Sequence, residues 1–165
     1  IVNASLQQGC LPDCLKMGQV TPIVMKPNAN VSDLNNYRRF TNILILAKLF
    51  EKCVHLPLTK HIELFNFFDT HQSGFRHNYS TESALVNIVD DTIGILDQNN
   101  SCLLILLDLS AAFDTVRHDN LTSLLENRMG ISGTVLRWLS SYLHNRFQRV
   151  NFNHSLSIPN RVPLG

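Results

Sequence analysis

A chain of 165 residues, 44% hydrophobic and 16% charged, is long enough for one hydrophobic core and too short for two independent domains. Fourteen lysines and arginines against 13 aspartates and glutamates give a formal net charge of +1, so bulk charge lacks the basic excess typical of proteins that neutralise phosphates. The longest apolar run, 102–107, is far short of the roughly 20 residues of a membrane helix, and no basic-then-apolar leader opens the chain. The expectation is an ordered intracellular protein, of nucleus or cytoplasm, neither membrane-embedded nor secreted. Because it starts at Ile1 and stops at Gly165, both ends are expected to be cut from something longer.

In chain order, residues up to about Gly18 read as a short helix breaking into a turn. Residues 19–26 (QVTPIVMK) are β-branched and apolar, a strand that Pro22 would place at a sheet edge. The turn-formers of 27–36 make a loop. Residues 37–42 are the returning strand of a basic hairpin that carries Lys26, Arg38 and Arg39. A helix spans 43–56, kinked or ended by Pro57. A looser stretch runs to Asn78, and Ser80 sits where a helix N-cap belongs, with Glu82 in the first turn. Behind it, Leu85, Ile88, Val89, Ile93 and Leu96 recur at helical spacing as one buried stripe.

Residues 101–107 (SCLLILL) are apolar without alternation, which fits a strand covered on both faces. A helix over 118–129 turns Leu121, Leu124 and Leu125 inward and is closed by Gly130. Another spans 132–144, with Val135, Leu136, Leu139, Tyr142 and Leu143 inward. Residues 148–152 alternate, 153–155 turn, and 156–162 form a returning strand whose outer edge is expected to lack a partner. Interleaved helices and strands make the class α+β or α/β. Cys10 and Cys14 could be half of a zinc site, but no second pair follows at ligand spacing, so the four cysteines (10, 14, 53, 102) are read as isolated reduced thiols. The five Asn-X-Ser/Thr triplets are chance matches in a chain without a secretory route.

The chemistry centres on Asp108. A buried strand that delivers a carboxylate to its open end provides a hard oxygen ligand of the kind Mg²⁺ takes. Nucleotidyl transfer needs two such ions about 4 Å apart, so at least one further carboxylate must converge. Read locally, Asp108 is equally a solvated strand-end aspartate, Asp114 a surface or helix-capping carboxylate, and Phe113 a core phenylalanine.

The segment LLDLSAAFDTVRHDNL (106–121) resembles the first catalytic palm motif of non-LTR (LINE-type) reverse transcriptases: strand, Asp, Ala-Phe-Asp-x-Val, then a His-Asp-x-Leu tail. Four further blocks resemble the same family in the same order: PIVMK (22–26), NNYRRFTNILILAKLFEKC (35–53), HQSGFRHNYSTESAL (71–85) and GISGTVLRWLSSYLHNRFQRV (130–150). RVPLG (161–165) sits where the family has Gly-Val-Pro-Gln-Gly. The resemblance implies an α+β fragment of a right-hand polymerase, its helices packed on a small, incomplete antiparallel sheet. Residues 1–100 would be fingers-like with helices leading into the palm, and 101–165 the first half of the palm. The implied function is that of a retrotransposon's RNA-directed DNA polymerase, which extends a DNA primer on an RNA template with deoxynucleoside triphosphates and Mg²⁺.

Residue by residue, the resemblance makes Asp108 the first catalytic carboxylate and a metal ligand, with the Leu109 carbonyl beside it. Phe113 would gate against a ribose 2′-hydroxyl, and Lys26 and Arg38 would clamp the triphosphate. Leu164 would lie beside the incoming nucleotide. Arg76 would touch template or primer, or order the fingers locally. Three departures stand out: Arg39 where the family has the Pro of Tyr-Arg-Pro-Ile, Arg161 for the first Gly of the last block, and Leu164 for its Gln. The family's Tyr-x-Asp-Asp strand and thumb would lie beyond Gly165, so this chain alone is expected to be inactive. The alternatives are a non-catalytic remnant of a decayed element, at most a weak nucleic-acid-binding module, and an unrelated α/β binding protein.

Overall fold

Two β-branched runs separated by ten turn-forming residues build the first element pair, a hairpin of β1 (Met17–Val24) and β2 (Tyr37–Ile43), paired antiparallel from Gly18↔Ile43 to Val24↔Tyr37. The computed structural model describes residues 1–109, 112–153 and 155–162. They fall into two compact units, Ile1–Lys60 with Ala111–Gly165, and His61–Ser110.

In the first unit, β3 (Phe147–Phe152) lies parallel to β1 over Met17–Val20, and β4 (Ser155–Leu156) and β5 (Asn160–Arg161) pair antiparallel with β3. The sheet order is β2-β1-β3-β4, with β5 also on β3. The sheet is therefore mixed, not antiparallel as expected. The chain passes through several helices between β1 and β3 and returns in the same direction, as a parallel pair requires. Nor is β1 an edge strand. Pro22 falls after the last β1 residue paired with β3, so its missing N–H deprives no β3 partner. The expected return strand over 156–162 is broken in two. Ser157 Oγ accepts the Val150 N–H at 2.9 Å in place of a ladder carbonyl, and Pro159 has no N–H to give.

The helices of this unit are α1 (Val2–Gln8), most of α2 (Ile45–Leu64), α4 (His118–Asn127) and α5 (Gly133–Leu143); α3 (Thr81–Asp97) belongs to the other. Of the two outcomes expected at Pro57, a kink or an end, the helix does not end: α2 continues through it to Leu64. α4 closes on Gly130, whose φ of 67° lets the Ile131 N–H reach the Leu125 carbonyl at 3.0 Å. Leu11, Leu15, Ala47, Phe50, Leu125, Ile131, Trp138 and Leu139 form the core. Leu125 and Leu139 match the helical spacing. Val135 and Leu124 were expected inward and are exposed. Trp138 takes the inward position on α5, where it meets Ser5 of α1.

In the second unit, Ser80 caps α3 as expected. Its hydroxyl accepts from the Ser83 N–H, and the Ser80 N–H donates in return to Ser83 Oγ. The stripe of Leu85, Ile88, Val89, Ile93 and Leu96 is exposed, not buried, and α3 has no buried residue. A helix face is buried only by an opposing layer, and the rest of this unit's described chain is mainly turns and irregular backbone. Residues 101–107 form no strand: Leu103 is 84% and Leu107 89% exposed. An apolar run becomes a covered strand only beside a ladder partner, and the described residues supply none. No helix among the described residues is long and apolar enough to cross a membrane.

Candidate functional site

Strand alternation sorts the hairpin's side chains onto two faces. Arg39 pairs with Pro22 and shares a face with Val20, Thr41 and Val150; Arg38 pairs with Ile23 and lies on the other. On Arg38's face, the registers align Asn42, Gln19 and Arg149 in one row across three strands, beside Phe40, which is 54% exposed. Arg149 Nε and Asn151 Oδ1 are buried there without hydrogen-bond partners among the described residues. Cations, amides and an exposed ring on one sheet face are groups that a single-stranded nucleic acid engages.

The opposite face is mostly apolar, with a groove of about 560 Å³ lined by Val20, Pro22, Val31, Leu34, Val150 and Phe152 among others. At its end, a cavity of about 590 Å³ includes Gly18, Arg39, Thr41, Asp114 and Gln148 in its lining. Here Arg39 Nη2 donates to Asp114 Oδ2 at 2.6 Å. Asp114 lies in the turn 112–115, which Thr115 Oγ1 braces by donating to the Ala112 carbonyl at 3.0 Å. Phe113, in the same turn, is exposed.

The other two hairpin cations are placed differently. Lys26 sits in the exposed turn after β1, and Arg38 is exposed on β2. Neither side chain has a hydrogen-bond or ion-pair partner among the described residues, so both charges are available to an anion. The sequence counted Arg39 among the hairpin's cations and as a missing proline, without a partner. Alternation along 37–43 could have separated it from Arg38, but its partner Asp114 is remote in sequence and left no local signal.

The second unit holds Asp108, Leu109 and Arg76. Asp108 was expected at the lip of a buried strand; it lies instead in exposed irregular chain, because 101–107 has no ladder to end. The Arg76 guanidinium stands 4.3 Å from the Tyr79 ring centroid and 5.5 Å from that of Phe68, and donates to the Asp69 carbonyl at 3.3 Å. It therefore orders its own turn. Leu164 lies outside the described residues.

Among the described residues no three His, Cys, Asp or Glu side chains converge on a possible metal position. Asp108 offers oxygen ligands of the right hardness, but one carboxylate does not close a two-ion centre, so these residues do not by themselves fit one. The four cysteines are free and exposed. The clearest electrostatic perturbation is elsewhere: burial, reinforced by the Glu51 carboxylate that accepts its hydroxyl at 2.7 Å, pushes Tyr142 up to about 12.

Residues 24–165 match the family described as "Reverse transcriptase (RNA-dependent DNA polymerase)". Over its full length the chain is 26% identical to the "Probable RNA-directed DNA polymerase from transposon X-element" of Drosophila melanogaster, covering 18% of that protein. It is 27% identical, again over its full length, to the "Probable RNA-directed DNA polymerase from transposon BS" of the same species, covering 18%. A third similar protein is the "RNA-directed DNA polymerase from mobile element jockey" of Drosophila funebris, 25% identical over 73% of this chain and 13% of its own length. The chain thus spans less than a fifth of the curated relatives it matches.

Proposed function

Since this chain belongs to the reverse transcriptase (RNA-dependent DNA polymerase) family, which it matches over residues 24–165, we propose that it forms the fingers and first half of the palm of a right-hand retrotransposon polymerase. In this reading 1–100 is the fingers-like part with helices leading into the palm, and 101–165 begins the palm. The complete polymerase adds deoxynucleotides to a DNA 3′-hydroxyl on an RNA template, in nucleus or cytoplasm. The observation that carries the reading is that one family match spans Lys26, Arg38, Asp108 and Phe113 together.

Asp108 and the Leu109 carbonyl would offer oxygen ligands to Mg²⁺, and a two-ion site would need further carboxylates beside them. Lys26 and Arg38, two cations without partners among the described residues, meet the triphosphate, where positive charge offsets what develops on the leaving pyrophosphate. Phe113 occupies the space a ribose 2′-oxygen would need, and a rigid ring suits that exclusion. Arg76 acts through the turn it orders, next to template or primer. The polar sheet face around Arg38, Gln19 and Arg149 offers the template strand cations and amides.

Primer extension tests this. Purified 1–165 is expected to stay at background. Joined in frame to the following polymerase segment of the X-element relative, it is expected to extend a DNA primer on RNA, with Asp108→Asn returning the signal to background. Extension that survives Asp108→Asn would overturn the assignment of the carboxylate.

A further inference from the structure

We propose that the pocket between α2 and α5 binds a small amphipathic anion, an alkyl or acyl chain ending in a phosphate or carboxylate, with Lys48 and Lys52 at its head. The pocket lies within the first unit and has a volume of about 520 Å³, inside the range of small-molecule sites. Its lining splits by chemistry: Val54, Leu58 and Leu139 offer aliphatic surface, while Lys48, Lys52 and His55 are exposed residues of α2. Two lysines four residues apart share a helix face, where like charges repel mildly and an anion between them relieves both. Neither ammonium has an ion-pair partner among the described residues. The carboxylate between them in sequence is engaged with another partner, since Glu51 Oε1 accepts the Tyr142 hydroxyl at 2.7 Å.

Tyr142 adds no negative charge of its own, because burial keeps its phenol protonated up to about pH 12. The Arg146 guanidinium, 4.7 Å from the Tyr142 ring centroid, adds a further cation beside that ring. The wall is also set before any ligand arrives. Trp138 is anchored by its Nε1 bond to Ser5 and stacked on Tyr142 at an interplanar angle of 13°, so binding need not order it. Being 3% exposed and already stacked, Trp138 leaves little ring face for a nucleobase. An aliphatic body needs apolar area and no stacking face, so it fits this lining. No residue of the pocket carries a role in the polymerase reading, so neither claim falls with the other.

Trp138, the only tryptophan, reports from the pocket wall. The chain 1–165 is titrated below the micelle concentration with octyl phosphate and, separately, with octanoate, which tells the two head groups apart. At least one is expected to change the tryptophan emission saturably, while octanol and inorganic phosphate at equal concentration leave it unchanged. Lys48→Gln combined with Lys52→Gln, two changes at exposed positions, should weaken that ligand by about tenfold or more, the worth of one charge-assisted hydrogen bond. In ¹H–¹⁵N spectra of the wild type, the ligand should shift amides of 48–58 and 138–142 together. Failure of both anions to bind, octanol binding equally well, undiminished affinity in the double variant, or shifts confined to the β1–β2 hairpin would each overturn the proposal. So would displacement of the ligand by deoxyadenosine monophosphate, which would make this a nucleotide site.

Discussion

Ser5→Ala probes the bond between α1 and α5 most directly. Ser5 and Trp138 are 4% and 3% exposed, and the indole Nε1 donates to Ser5 Oγ at 3.0 Å while that hydroxyl donates onward to the Cys10 carbonyl. Alanine keeps the Cβ and opens little space, so the dominant effect is a buried indole N–H left without an acceptor. Such a group costs about 1–3 kcal/mol. Trp138→Phe removes the donor instead, and adds a loss of packing against Leu11, Leu139 and the stacked Tyr142 ring 5.7 Å away. Once the donor is gone, Ser5→Ala should cost far less, giving a coupling of about 1 kcal/mol between the two changes. Urea unfolding followed by far-ultraviolet circular dichroism is the suitable assay, because Trp138 is the only tryptophan and its fluorescence vanishes in one arm of the cycle. Strictly additive effects, or a Ser5→Ala cost below about 0.5 kcal/mol at unchanged denaturant slope, would refute the reasoning.

Two further outcomes follow from geometry. Gly9→Ala should destabilise by about 2 kcal/mol or more, since φ is +71° and a Cβ would stand 3.0 Å from the Thr134 carbonyl, whereas Gly74→Ala, with open space around it, should leave the melting temperature unchanged. Tyr142 is neutral when folded up to about pH 12 and from about pH 10 when unfolded is ionised, so its contribution is complete below pH 10 and declines as pH rises towards 12. Tyr142→Phe should flatten that decline in melts taken across the same interval, and an equally steep fall in the variant would assign the loss to other groups.

How much of this was legible depended on whether a pattern carried its own partner. The hairpin was, because two β-branched runs flank a turn-rich loop and pair with each other. The Ser80 cap and the Gly130 closure were, because both act within a few residues. The stripe on α3 and the run 101–107 were read correctly as apolar and wrongly as covered: apolarity says what wants burial, and only a second element provides it. The same limit hid the core contribution of α1, whose Ser5 meets Trp138 across 133 residues of sequence. It also hid the ion pair of Arg39 and Asp114, 75 residues apart. Of the candidate site, residue types were visible in the motifs, but the opposed faces of Arg38 and Arg39 needed the strand register.

The parallel pairing of Met17 with Phe147 sets a schedule for the chain as it is made, because the partners are 130 positions apart (147 − 17). At about 5–20 residues per second, β1 emerges from a ribosome roughly 7–26 s before β3. During that wait the hairpin can close on β2 alone, leaving β1's second edge open to any passing strand. Nascent copies of this chain are therefore most vulnerable to mispairing early in translation, and a chaperone that shields residues 17–20 would act in that interval.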